Sequence, residues 1–247
     1  MELINNKLPL ISVIMPTYDA AKTLVLAIES INRQNYSNLE LIIIDGNSND
    51  GTVDILKTYE TGITFWISEP DKGIYDAMNK GISKATGDWL YFLGADDQLN
   101  PDILNQIAPY LDLKLAAVYG DVIYDTGGVM RSRVDFRILI QNTLHHQATF
   151  YNRGLFTDFR YNTDYRVISD YELNLQIYLR KKPTLFVPYL IATCGSVGTS
   201  SVLSTTEVND LRGKYVKNRV VNYLLNSMLE FYYFYFKSKK KLMNHLR

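Results

Sequence analysis

Four short apolar runs, Leu10–Met15, Leu39–Asp45, Ile63–Ser68 and Trp89–Leu93, each give way to a polar segment rich in carboxylates and glycine. The runs are β-branched or aromatic with little polar alternation, the composition of strands covered on both faces. Between them lie amphipathic stretches. Ala21–Gln34 carries Leu24, Ile28 and Ile31 at helical spacing, and Val53–Tyr59 and Ile74–Ala85 follow the second and third runs. Alternating strand and helix over about 125 residues predicts an α/β fold of repeated βα units around a parallel sheet. Asn100 with Pro101 reads as the cap and first turn of a fourth helix.

After Leu115 the strands shorten, and Asp125-Thr126-Gly127-Gly128 reads as a hairpin turn between Val118–Tyr124 and Val129–Val134. A strand is expected at Ala148–Tyr151, a helix over Ser169–Arg180 and one long helix from about Thr206 to Phe236, with a frayed end carrying Lys237, Lys239, Lys240 and Lys241. Neither an internal repeat nor a low-complexity linker divides the chain, which favours one continuous domain. The lone cysteine, Cys194, makes no internal disulfide, and the chain does not open on a charged segment followed by an apolar one; both point to a reducing cytoplasm.

The chain has 26 basic and 26 acidic residues, but Arg212–Arg247 holds nine of the basic ones against Glu230 alone. The body therefore carries about −8 and the tail about +8. An acidic body argues against nucleic acid as a partner, because phosphate binding needs a basic face across the fold.

In open α/β sheets ligands sit beyond the carboxyl ends of the strands. The first strand ends in Pro16-Thr17-Tyr18-Asp19, the second in Asp45-Gly46-Asn47-Ser48-Asn49-Asp50-Gly51-Thr52, the third in Glu69-Pro70-Asp71-Lys72-Gly73 and the fourth in Gly94-Ala95-Asp96-Asp97. So many carboxylates on one edge call for an offsetting cation, and paired aspartates suit Mg²⁺ or Mn²⁺. Taken alone, Asp96-Asp97 reads equally well as a turn before the Asn100 cap. No Gly-x-Gly-x-x-Gly and no Walker-type lysine loop follow the first strand, which leaves a dehydrogenase or P-loop enzyme little support.

These segments together resemble glycosyltransferase family 2, whose members have the GT-A fold, a Rossmann-like nucleotide-binding mixed sheet flanked by helices. Ile11–Asp19 (ISVIMPTYD) resembles the family's opening strand and donor-binding turn. Leu41–Thr52 (LIIIDGNSNDGT) resembles its second signature, and Ser68–Ile82 with Thr86–Asp97 is close to bacterial polysaccharide-assembly members. The likeness covers roughly residues 10–197. It implies a donor half at about 1–125, an acceptor half at about 126–204 and an appended basic aromatic segment, 205–247. It implies that Pro16, Thr17, Tyr18, Asp45, Lys72 and Asn79 bind a nucleoside-diphosphate sugar. Asp97 would hold Mn²⁺ or Mg²⁺ on the donor diphosphate, with Asp96 on ribose, sugar or metal. Three positions depart from the pattern: Gly94 stands where an Asp is common, Gly46 replaces a second Asp after Asp45, and Met78 replaces an Arg before Asn79. Lys72 or Lys80 is then the candidate phosphate contact.

An inverting transfer needs a base for the acceptor hydroxyl. Ser169-Asp170-Tyr171-Glu172-Leu173 resembles the family's Glu-Asp-x-x-Leu signature, which implies Asp170 as base and leaves Ser169 in place of the Glu. Glu172, about 200° further round a helix, faces away. Without the resemblance Asp170 reads as a helix N-terminal carboxylate stabilised by the macrodipole. His145 and His146, before the Ala148–Tyr151 strand, are either acceptor or metal contacts or structural groups. Gly195–Ser201 is a glycine and hydroxyl loop of the kind that closes over phosphates.

Val220–Phe236 is too short and too interrupted by Asn222, Asn226, Ser227 and Glu230 to span a membrane. It reads as a helix lying on an anionic inner leaflet or packed on the body or a second subunit. The expected function is transfer of a hexose, from a UDP-sugar in the first instance, to a lipid-linked glycan at the inner face of the membrane. A catalytically silent nucleotide-sugar-binding scaffold is the alternative, suggested by Gly94, Met78 and Ser169, and a nucleotidyltransferase ranks third.

Overall fold

A computed structural model describes residues 8–195 and 205–245, with side chains through 235. The strands are β1 (Ile11–Thr17), β2 (Leu39–Asp45), β3 (Phe65–Ser68), β4 (Trp89–Phe92), β5 (Gln98–Leu99), β6 (Ala117–Tyr124), β7 (Val129–Met130), β8 (Thr149–Asn152) and β9 (Thr184–Cys194). The helices are α1 (Leu24–Asn32), α2 (Thr52–Thr58), α3 (Ile74–Lys84), α4 (Ile103–Ile107), α5 (Ser169–Leu179), α6 (Thr205–Tyr215) and α7 (Arg219–His245). They build one nine-stranded sheet in the order β3-β2-β1-β4-β8-β6-β9-β5, with β7 folded back on β6. The first four strands are parallel, β8 runs antiparallel to β4 and β6, and β9 is parallel to β6.

The parallel half follows from its sequence. Every residue of β1 and β4 is buried, as expected of strands with helices on both faces. Val13, Met15, Leu41 and Ile43 face α1 on one side; Ile14, Ile42 and Ile44 meet Tyr75, Met78 and Ile82 of α3 on the other. Burial of each such side chain contributes about 1.5–3 kcal/mol. Pro16 lies past the last β1–β4 pair, Ile14 with Phe92, where its missing N–H breaks no ladder on that side. Buried Glu40 ties β1 and β2 to the turn before β4, accepting bonds from Ser12, Thr86 and Gly87. Burial alone would raise this carboxyl, but those bonds outweigh it and hold it below the usual range.

A third cluster joins α5 to α6 and α7 through Tyr171, Leu175, Val208, Leu211 and Leu229. Its polar centre is the Arg212 guanidinium, wholly buried without a carboxylate among the described residues. It donates to Asn209 at 2.7 Å, to Asn222 at 3.0 Å, to Asn226, and to the carbonyls of Leu139 and Ile140 at 3.2 and 3.1 Å.

Several elements differ from the sequence reading. Asn100 does not cap the fourth helix. Its N–H goes to Ile191 O at 3.0 Å and its amide to Leu190 O at 2.9 Å, while Asp102, in a left-handed conformation at φ 56°, precedes α4. The long C-terminal helix is two, because the Asn218 side chain accepts from the N–H groups of Val220 and Val221 and starts α7 afresh. The lysine-rich end is helical through His245 instead of frayed. β7 stops at Met130, and β9 is an eleven-residue strand that the sequence reading passed over.

Candidate active site

The residues ending β1 to β4 lie along one edge of the sheet. Thr17 pairs with Asp45 across β1 and β2, and both are buried. The Asp45 carboxylate is fully enclosed and engaged with its own turn, accepting from Ser48 N at 3.0 Å, Ser48 Oγ at 2.5 Å and Ser68 Oγ at 2.6 Å. It thereby anchors the loop after β2. Tyr18, by contrast, is 66% exposed. Beside it the sequence reading missed a partner: a Cβ on Gly46 would stand 2.7 Å from Asp71 Oδ2 and 3.2 Å from Tyr18 Cδ2. The absent side chain thus lets a carboxylate and an aromatic ring flank one bare stretch of backbone. Asp71 sits in a turn, accepting from Gly73 N at 2.7 Å, and its position just past β3 was the available signal.

Other predicted donor residues are divided. Lys72 is exposed. Lys80 is occupied by Glu69 at 2.8 Å, Asp76 at 3.8 Å and Pro70 O at 3.0 Å. Asn79 turns to the acceptor half, where its amide donates to Tyr161 O at 2.8 Å and accepts from Tyr161 N at 2.9 Å. Met78 is buried in the apolar cluster under α3, so the position of the missing arginine points into the core.

After β4 the chain turns sharply. Asp97 is 3% exposed; its Oδ1 accepts from Gly195 N at 3.1 Å, and its Oδ2 from Gln147 Nε2 and Gly94 N, each at 3.3 Å. Burial, then the charge of neighbouring Asp96, pushes its carboxyl above the ordinary range. A Cβ on Gly94 would lie 2.8 Å from Asp96 Oδ1 and 2.8 Å from Asp97 Oδ2. Two carboxylates therefore converge on the space the glycine leaves, and a side chain at position 94 would require them to shift. No group of three or more His, Cys, Asp or Glu gathers around one point among the described residues. Two carboxylates and a cradle this size nevertheless fit a hard divalent cation that takes its other oxygens from a bound diphosphate and water. Buried Cys194 lies beside Asp97 and stays a thiol, its pKa driven far up by burial and by that carboxylate.

The second centre is Asp170, in the first turn of α5 and almost fully buried. Tyr75 donates to Oδ1 at 3.1 Å, Asn142 donates to Oδ2 at 3.0 Å, and His146 Nδ1 stands 3.3 Å from Oδ2. Burial, reinforced by Asp170, holds Tyr75 far above 10, so its hydroxyl keeps the proton it donates. Asn142 is itself held by Asn174, which accepts from Tyr151 at 2.9 Å. Of the two histidines His146 joins the site. His145 supplies its carbonyl to Thr149 Oγ1 at 2.7 Å, and burial pushes its imidazole down to about 4. Glu172 faces away, accepting from Tyr215 at 2.5 Å, and the buried Ser169 hydroxyl has no hydrogen-bond partner among the described residues. The loop from Gly195 to Ser201 lies outside the described residues beyond Gly195. A cavity of about 520 Å³ between the paired strands β6 and β9 and the segment after β7, lined by Tyr119, Arg131, Phe186 and others, contains none of the candidate residues.

Residues 12–181 match the family Glycosyl transferase family 2. A PGL/p-HBAD biosynthesis glycosyltransferase of Mycobacterium bovis is 37% identical over 213 residues, 81% of each chain. An uncharacterized glycosyltransferase of Haemophilus influenzae is 36% identical over 102 residues, 40% of this chain and 41% of that one. Among solved structures, S. aureus TarS 1-349 in complex with UDP-GlcNAc superposes with a TM-score of 0.68 at 18% identity, over 82% of this chain and 64% of that one. The mannosyltransferase PcManGT from Pyrobaculum calidifontis, in complex with GDP-Man and Mn²⁺, gives 0.61 at 19% identity, over 85% and 63%. The chain thus spans less than two thirds of either solved structure, and at these identities the likeness is one of fold.

Proposed function

The chain belongs to glycosyltransferase family 2 and has the GT-A fold, and from that premise we propose that it transfers a hexose, with inversion, from a nucleoside-diphosphate sugar to a lipid-linked glycan. A UDP-sugar is the donor to test first, and bacterial surface polysaccharide at the inner face of the cell membrane is the setting. The observation that carries the reading is the pair of buried carboxylates, Asp97 and Asp170, bridged through one short turn.

The donor base lies against Tyr18, over Gly46, with Asp71 as acceptor for its N–H. Pro16 and Thr17 form the end of that groove, and Asp45 shapes it from below. Asp97 and Asp96 would hold Mn²⁺ or Mg²⁺, which would supply positive charge to offset that of a departing diphosphate. Exposed Lys72 adds positive charge at the same edge. Asp170 takes the proton of the acceptor hydroxyl as that oxygen attacks the anomeric carbon from the face opposite the leaving group. Tyr75, Asn142 and His146 fix the carboxylate so that little reorganisation accompanies the proton transfer.

A silent nucleotide-sugar scaffold is the competing reading, favoured by Met78 in the core and Ser169 in place of a Glu. A panel of UDP-, GDP- and dTDP-sugars, with and without Mn²⁺, separates the two. Turnover of one donor that disappears in Asp97→Ala and in Asp170→Asn, with donor affinity kept in the latter, supports transfer. Binding without turnover, even when a lipid-diphosphate acceptor is supplied, supports the scaffold.

A further inference from the structure

The buried Arg212 decides which side of α7 meets the body. Its bonds to Asn222 and Asn226, with Leu229 fully buried one turn on, turn that face inward. The opposite face is left to solvent: Val220, Tyr223, Leu224, Met228, Phe231 and Phe234 are 48–72% exposed. At 100° per residue these six side chains form an apolar stripe interrupted by Ser227, larger than single scattered surface residues explain. No helix among the described residues is long and apolar enough to cross a membrane.

We infer that this stripe of α7 lies on an anionic lipid surface, with the apolar and aromatic side chains at the headgroup boundary and the lysine-rich end of the same helix near the lipid phosphates. The inference rests on the lipid-linked acceptor proposed above and names how the protein reaches it. Charge separates the bilayer from a second copy as occupant. A two-fold contact through α7 would bring together two helices that each carry five basic residues, Arg219 and four lysines, against Glu230 alone. An anionic surface complements that charge instead, and it repels the body, which carries about −8, so the tail approaches first. Tyrosine and phenylalanine beside lysine suit a helix lying in the interface plane.

The test is sedimentation of the full chain with vesicles of phosphatidylcholine alone or with about a third phosphatidylglycerol, the anionic lipid supplying the attraction. Binding is expected to be roughly tenfold or more stronger to the anionic vesicles and to weaken with added salt. Phe231→Glu with Phe234→Glu should lower it at least about tenfold at unchanged melting temperature. Replacing Lys239, Lys240 and Lys241 by Gln keeps the stripe and should abolish the preference for anionic lipid. Equal binding to both vesicle types, or no binding, overturns the inference. So does a wild-type dimer that the phenylalanine variant converts to monomer, which would assign the stripe to a second copy. Donor hydrolysis in solution is expected to persist in both variants. Its absence in the wild type would count against the transfer reading and leave the lipid result standing.

Discussion

His146 and Gln147 are consecutive residues of one 3-10 turn, yet they reach different carboxylates: His146 Nδ1 lies 3.3 Å from Asp170 Oδ2, and Gln147 Nε2 donates to Asp97 Oδ2 at 3.3 Å. One rigid turn therefore gauges the separation between the proposed base and the proposed cation site. His146→Ala should lower kcat roughly ten- to a hundredfold, the worth of one hydrogen bond to a charged group, with donor affinity unchanged. In an Asp170→Asn background the same change should add little, because the two residues act through one contact. Additive losses in that double-mutant cycle would rule out the coupling.

Asp170→Asn keeps the shape of the side chain and removes its capacity to take a proton. Single-turnover rates should fall about 10²–10⁴-fold while donor affinity, measured by calorimetry, stays within a factor of two or so. Tyr75→Phe should cost a smaller part of kcat, and the acceptor KM should not move. Equal losses in kcat and donor affinity would mean that Asp170 is only a structural cap of α5.

Gly94→Ala puts a methyl group into the space where Asp96 and Asp97 converge. The fold should survive, since Gly94 stands at a loop and not in the sheet. Thermal stabilisation by Mn²⁺ is expected in the wild type and should be lost in the variant, as should turnover. An alanine variant that still gains stability from Mn²⁺ would place the cation elsewhere.

Acid should destabilise the protein through His145. Its imidazole titrates near 6.5 when exposed and near 4 in the fold, so between those values the unfolded chain binds more protons. Stability from this group is complete above about pH 6.5 and declines as the pH falls toward 4, by at most about 3 kcal/mol. Urea unfolding from about pH 7 to about pH 4.5 should show that slope, and His145→Gln should flatten it. The same slope in the variant would assign the acid sensitivity to other groups.

Arg212→Lys retains the charge but not the planar fork that serves five acceptors. A loss of about 2–4 kcal/mol is expected, together with faster proteolysis within α7 at unchanged cutting of the sheet. Wild-type resistance in the variant would show that apolar contacts alone hold the helix.

The parallel half of the sheet was legible because its strands are buried on both faces and so show as unbroken apolar runs. β9 was not, because Pro188 interrupts it and Phe186 and Leu190 are exposed. Asn100 had the local chemistry of a cap, but a partner some ninety residues away claimed it. The carboxylates at the sheet edge were found as a group, while their division of labour was not. Asp45 is drawn into its own turn by Ser48 and Ser68, and Asp71 comes beside Tyr18 only because Gly46 has no side chain. Such outcomes depend on which neighbour arrives, and no spacing along the chain encodes that.

The bond from Gly195 N–H to Asp97 joins residues 98 apart, and β5, which follows Asp97 directly, pairs with β9 alone among the described residues. The parallel half also closes on late chain, since its apolar clusters take in Val118, Phe150 and Val187 on one side and Tyr151, Phe156 and Leu173 on the other. The aspartate pair is therefore pinned by a strand 98 residues further along the chain, so a change that loosens β9 should reach the proposed cation site without touching either carboxylate.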